Sequence, residues 1–405
     1  MDSEVRARFH KVWSPDLVAR VRGDLDRRIG RPCPFPIAET PLFLPADLRE
    51  RFASAAEDIV AQLSRPAFIA AHEASIPPQY AMGGRKDLPH VAQIDFAVAR
   101  DADGRLVPRL VELQGFPSLY AFQIMLTDVW ATHLSGLPGL PERWGLFFHG
   151  RRRHEAMALL RDTIVGTHDP EEVILLDLAP DEQKTFPDFA ATQRWFGVDA
   201  VCPSDLKRDG DRIYRVKDGK TIRVRRFYHR IIIDEMERKA FPMPFKLNER
   251  LDVEWVPHPE WWWIWSKRSM LDLEHEAVPK TTLVSELDET PADLSNYVLK
   301  PLWSFAGGGV NVDPTPEDVA AIPADQRSGW VLQEKIRYAD AFQTPDGNGV
   351  KAEVRMMFVR RDRDTKMQLL MNLVRLSRGK MIGVNFNRDL PWTGASVGMW
   401  PAEGP

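Results

Sequence analysis

The sequence predicts an α+β protein of two or three lobes, and three observations carry that expectation. Residues 1 to about 75 keep a helical spacing of apolar positions with one irregular break. From Val91 the spacing changes to strict alternation, as paired strands require. After Val278 more strands follow, grouped around three consecutive glycines, Gly307, Gly308 and Gly309. At 405 residues the chain can bury sizeable cores, and 44% hydrophobic with 28% charged residues is a globular composition.

The formal charge of -4 argues against a nucleic-acid binder held by general electrostatics. Cys33 and Cys202 stand far apart, neither in a C-x-x-C pair, which excludes a zinc ribbon or disulfide framework and fits a reducing compartment. The N-terminus is charged from its second residue and lacks an apolar h-region. No run approaches the roughly 20 apolar residues that cross a bilayer. The expectation is a soluble, cytoplasmic protein with neither nucleic acid nor membrane as partner. Thirteen tryptophans point to aromatic pockets or heavily packed lobe contacts.

Four regions follow in order. Residues 1–90 read as a helical cover, with Ser14-Pro15-Asp16 as a capped helix start and Pro45 to Leu63 amphipathic. Residues 91–140 open with a hairpin, turned at Asp103-Gly104, that carries Asp95 on one strand and Glu112 and Gln114 at i, i+2 on the other. Two carboxylates and an amide oxygen converging on one face suit Mg²⁺, which takes oxygen ligands; the alternative is a hairpin with a solvated outer face. The apolar GFPSLYAFQIM that follows places the hairpin's end in the interior.

Residues 141–270 read as an α/β segment: a strand in 171–179, a helix from Phe186 to Phe196, and a meander turned at Asp209-Gly210 and Asp218-Gly219. The run TIRVRRFYHRIIID reads as one strand closing this region. Its arginines are either a solvated edge that blunts pairing, or Arg230 is a partly buried guanidinium awaiting an anionic substrate. His229 reads as an ordinary packed or exposed histidine. Four tryptophans in HPEWWWIWSK read as core or lobe interface, with Lys267 at their edge.

Residues 271–405 hold the apolar strand YVLKP with Lys300, the triple-glycine loop, and a return strand at Val310-Asn311-Val312. Glycines let a backbone approach a polyanion with its N–H groups turned toward phosphate oxygens, and a lysine beside them adds a point charge. The strand from Gly329 to Ile336 ends in Gln333, Glu334 and Lys335. Two further strands carry Glu353 with Arg355 on one face, and Asn372 with Arg375. The tail from Gly379 is expected to wrap over the site.

The order strand-lysine, glycine-rich loop, strand ending Gln-Glu-Lys resembles the ATP-grasp fold, in which two α+β lobes clamp ATP. It is neither a P-loop nor a Rossmann turn. Because the D…VELQGFPS hairpin precedes the glycine loop, the sequence resembles the circularly permuted branch typified by glutathionylspermidine synthetase, over about residues 90 to 390. That resemblance implies Asp95, Glu112 and Gln114 as magnesium ligands, and Lys267, Lys300 and Gly307 to Gly309 as phosphate contacts. It further implies Gln333, Glu334 and Lys335 as the hinge meeting adenine and ribose. Arg355 and Arg375 become phosphate or acyl-phosphate contacts, and Arg230 faces substrate. Two departures stand out: Gln114 replaces an asparagine, and Gln93 replaces an arginine two residues before Asp95.

The function implied is an ATP- and Mg²⁺-dependent ligase joining a carboxylate to an amine through an acyl-phosphate. Its partners would be small-molecule or peptide carboxylates and amines. The alternatives are a kinase-like phosphotransferase, or a nucleotide-binding module without turnover, which the two glutamine replacements favour.

Overall fold

A computed structural model describes residues 1–239, 241–303, 308–379 and 390–402. Its centre is a six-stranded antiparallel sheet in which strands far apart in sequence lie side by side, Asp95 opposite Arg355 among them. Val91–Arg100 pairs with Leu106–Gln114 on one side and with Gly349–Val359 on the other. Gln368–Ser377 and Gly394–Ser396 continue the sheet, and Asp340–Gln343 pairs with the start of the 349–359 strand. The alternation expected from Val91 is here, in the register that sets Asp95 opposite Glu112 and Gln93 opposite Gln114.

Helices cover this sheet because their apolar faces have nowhere else to go. Ser14 accepts from the Leu17 N–H at 3.1 Å and so caps the helix Pro15–Ile29, with proline at its first position as expected. Ala46–Leu63 packs against the sheet, with Phe52 edge-on to Phe96 at 5.9 Å between ring centroids. The GFPSLYAFQIM segment leads from the hairpin into the buried helix Tyr120–Leu134. Its Tyr120 hydroxyl lies between the carbonyls of Ala92 and Phe358, 2.9 and 2.8 Å away, and its one hydrogen is shared between them, tying the helix to two central strands.

Beside this body lies a parallel sheet, in the order Glu254–Val256, Arg226–His229, Val173–Leu176, Asp199–Val201. A three-stranded meander over Lys207–Val224 turns at both expected Asp-Gly pairs. The run expected as one strand across 221–234 is divided. Lys220–Val224 belongs to the meander, and Arg226–His229 lies inside the parallel sheet. The break falls there because the wholly buried Arg226 bonds the carbonyls of Ile164 and Thr163, each at 3.0 Å, satisfying an interior guanidinium.

A third sheet, Thr281–Leu283, Trp330–Glu334, Tyr297–Pro301, presents Lys300. The return strand expected at Val310 to Val312 is a single bridge, Asn311 with Leu299. Asn311 gives its side-chain amide to Asp318 at 2.9 Å, and Pro314 lacks the N–H that a continued ladder needs. The tail runs back into sheets: Gly398–Pro401 lies parallel to Leu42–Phe43 and antiparallel to Trp144–Gly145. Residues 380–389 of the expected wrap fall outside the described residues. No helix among the described residues is long and apolar enough to cross a membrane.

Candidate functional site

Alternation on the central strands collects charged groups on one sheet face. Asp95, Glu112, Glu353, Arg355 and Arg375 belong to four adjacent strands, and their register places them together. Asp95 is buried at 1% exposure and is gripped bidentately by Arg355, Nε to Oδ1 at 2.6 Å and Nη2 to Oδ2 at 2.7 Å. Arg375 Nη2 donates to Asp95 Oδ2 as well. Burial pushes the Asp95 carboxyl upward, but the two guanidiniums outweigh it and hold it below the ordinary carboxylate range.

The glutamine at 93 is the next link. Its Oε1 accepts from Arg355 Nη1 at 2.9 Å and from Gln114 Nε2, while its own Nε2 donates to the Ser118 carbonyl at 2.6 Å. This network fixes both amides, with the Gln114 nitrogen turned inward, also 3.4 Å from the Phe116 carbonyl. Glu353 was not assigned a role from sequence, yet it sits at the centre. Its carboxylate accepts from Tyr338 OH at 2.5 Å and lies 3.2 Å from Arg375 Nη2. Burial pushes its carboxyl above the usual range, opposed by Arg375, with Asp95 and Glu112 adding to the rise. Its spacing of two from Arg355 was the signal that could have named it.

Lys300 reaches this face from the third sheet. Its Nζ donates to Gln333 Oε1 at 2.5 Å and stands 3.4 Å from the Val111 carbonyl, beside Glu112. The lysine's strand and the hairpin therefore meet. Burial draws the Lys300 amine down to about 8; Glu112 and Glu353 resist that shift, and Lys267 adds to it. Lys267, a phosphate contact by the resemblance, is buried at the edge of the tryptophan segment. Its amine is lowered by burial, with Glu112 and Asp234 acting against the shift. The chain comes this close because Gly115 donates to the Trp265 carbonyl at 2.9 Å, and a Cβ there would lie 2.9 Å from the Trp261 carbonyl.

The hinge residues divide. Gln333 is buried and turned to Lys300 on one side and Thr281 Oγ1, at 3.0 Å, on the other, so it orients the lysine. Glu334 and Lys335 border a cavity of about 440 Å³ that also includes Ala99, Val107, Arg109 and Ile336. Ala99, Val107 and Arg109 lie three to five residues from Asp95 and Glu112 along the same strands, roughly 10–17 Å at a strand's rise.

Arg230 departs from its expected place. It is buried and ion-paired with the equally buried Asp188, over the Phe189 ring. Burial works against its charge, and Asp188 outweighs that. Asp188 also accepts from the Phe122 N–H at 3.0 Å, so the pair joins two helices and leaves no guanidinium facing a substrate. Gly307 falls outside the described residues. Gly308 and Gly309 form a turn, with Gly309 at φ 72° packed over Pro301.

The three expected magnesium ligands do not make a donor set. Both Asp95 oxygens are taken by guanidiniums, and the Gln114 nitrogen, not its oxygen, faces the network. Glu112 is left, its carboxylate 3.9 Å from Arg355. Among the described residues no group of three histidine, cysteine or carboxylate side chains is arranged to hold a metal ion. The residues present do not fit Mg²⁺ as the sequence implied.

No protein-family model matches this sequence, and no curated protein does. Among solved structures the chain is similar to a glutathione synthetase-like effector, GSS30, from Globodera pallida, in its apo form. The TM-score is 0.61 at 12% identity, over 96% of this chain and 97% of that one. The likeness is one of fold: a mixed α and β architecture like that of a glutathione synthetase-like protein.

Proposed function

We propose that the chain is an ATP-dependent carboxylate–amine ligase of ATP-grasp type. The observation that carries the reading is Lys300 Nζ standing 3.4 Å from the hairpin carbonyl next to Glu112, on the face that holds Arg355 and Arg375. A triphosphate lying along this face, its base end toward the cavity at Glu334 and Lys335, would meet Lys300, Lys267 and Arg375 with its phosphates. The likeness in fold to a glutathione synthetase-like protein supports the ligase reading at the level of fold.

In this reading the γ-phosphoryl group passes to a carboxylate oxygen of the substrate, breaking its bond to ADP. The amine nitrogen then attacks the acyl carbon, phosphate leaves, and the amine gives up a proton. Arg375 and Lys300 stabilise the charge that builds on the transferring group and on the tetrahedral oxyanion. Arg355, already bonded to Asp95 and Gln93, holds that frame still.

A second reading is a nucleotide-binding module without turnover. The engagement of Asp95 by two arginines favours it, and so does a structural relative described as an effector. An ADP-release screen over carboxylates, with and without amines, separates the two. Amine-dependent release supports the ligase. Release without an amine points to a kinase, and nucleotide binding without release on any acceptor sinks the ligase and leaves the module.

A further inference from the structure

Resting on that nucleotide-binding reading, we propose that this centre takes a polyphosphate directly on Arg375, Lys300 and Lys267, with no divalent cation between. A bridging cation needs open oxygen donors on the protein. Asp95 has little to offer, because it is buried and three guanidinium donors, two from Arg355 at 2.6 and 2.7 Å and one from Arg375, fill most of its acceptor sites. Gln114 turns its nitrogen inward, and that orientation is dictated by Arg355 occupying the oxygen of Gln93. Glu112 is the remaining carboxylate at the mouth, with Arg355 at 3.9 Å and Lys300 and Lys267 close enough to act on it electrostatically.

Charge points the same way. Arg355, Arg375, Lys300 and Lys267 stand against Asp95, Glu112 and Glu353, and Glu353 shares its carboxylate with Tyr338. With Asp234, which acts on Lys267, the four cations match the carboxylates, so the face has no excess of negative charge to draw a dication. A dication placed there would be repelled by the groups that attract phosphate. Substituting fixed guanidinium and ammonium groups for a metal keeps the electrostatic function and removes the metal.

The test is calorimetric titration of the full chain with ATP at pH 7, in excess Mg²⁺ and in EDTA, with inorganic tripolyphosphate as a second probe. Equal affinity in the two buffers is expected. Affinity at least tenfold weaker in EDTA overturns the proposal and leaves the nucleotide reading standing. Absence of ATP binding in both buffers removes the nucleotide reading itself, and the proposal with it. Glu112→Gln supplies a test by sign, at a partly exposed position. If Glu112 ligates a metal, the variant binds ATP more weakly in Mg²⁺ alone. If the face works without one, the loss of a negative charge tightens binding in both buffers, by roughly two- to fivefold, the size of a partly exposed charge pair. Mn²⁺ titration followed by electron paramagnetic resonance checks the protein without nucleotide. Free, unbroadened Mn²⁺ signal is expected, and stoichiometric loss of it overturns the proposal.

Discussion

Lys300 is the residue whose chemistry depends most on its surroundings. Burial lowers its amine to about 8, so the charge that meets a phosphate is nearly complete at pH 7 and fades as pH rises through 8. A bound polyanion favours the protonated amine, so binding takes up a proton above that value. ATP affinity should therefore stay flat below pH 7 from this group and fall by up to about tenfold per pH unit above 8. Calorimetry across pH 6.5–9.5 measures it, and a flat profile would exclude Lys300 from the phosphates. Arg230 makes the opposite case. Removing its partner with Asp188→Ala leaves a buried guanidinium uncompensated, a loss of roughly 3–5 kcal/mol. Urea denaturation reads that loss directly; a change under 1 kcal/mol would show the pair to be dispensable and reopen a substrate role for Arg230.

At the scale of elements, the hairpin and the tryptophan segment are one construction. Gly115 ends the Glu112 strand against Trp261 and Trp265, and a methyl there would sit 3.2 Å from both of their Cβ atoms. Gly115→Ala should push the segment away, destabilising the fold by about 1–3 kcal/mol and carrying Lys267 off the charged face. Denaturation together with ATP calorimetry checks both consequences; full stability with unaltered affinity would show that the two elements move independently. These strands were readable in the sequence because alternation, the Asp-Gly turns and the Ser-Pro helix start are local signals. The false return strand at Val310 came from the same kind of signal. An apolar-polar-apolar triplet resembles a strand, but Pro314 and the Asn311 side chain end the ladder after one bridge.

At the scale of the whole molecule, two sheets meet so that Asp95 and Glu112 from the hairpin, Arg355 and Arg375 from two strands far along the chain in the same central sheet, and Lys300 from the sheet of Tyr297–Pro301 come together. The sequence by itself determined which residues could carry charge there, because residue type and alternation decide the face of a strand. It did not determine the hairpin register: a β-bulge between Asp95 and Phe96 shifts the pairing by one residue, so that Asp95 faces Glu112 and not Val111. Only the tertiary structure decided how those charges spend themselves. Asp95 is bonded to arginines 260 and 280 positions away, Arg230 is closed against Asp188, and Gln333 orients a lysine rather than a base. The physical reason is that a charge in a low-dielectric interior takes the nearest opposite charge the fold brings to it, and sequence spacing holds no information about which strand arrives beside it.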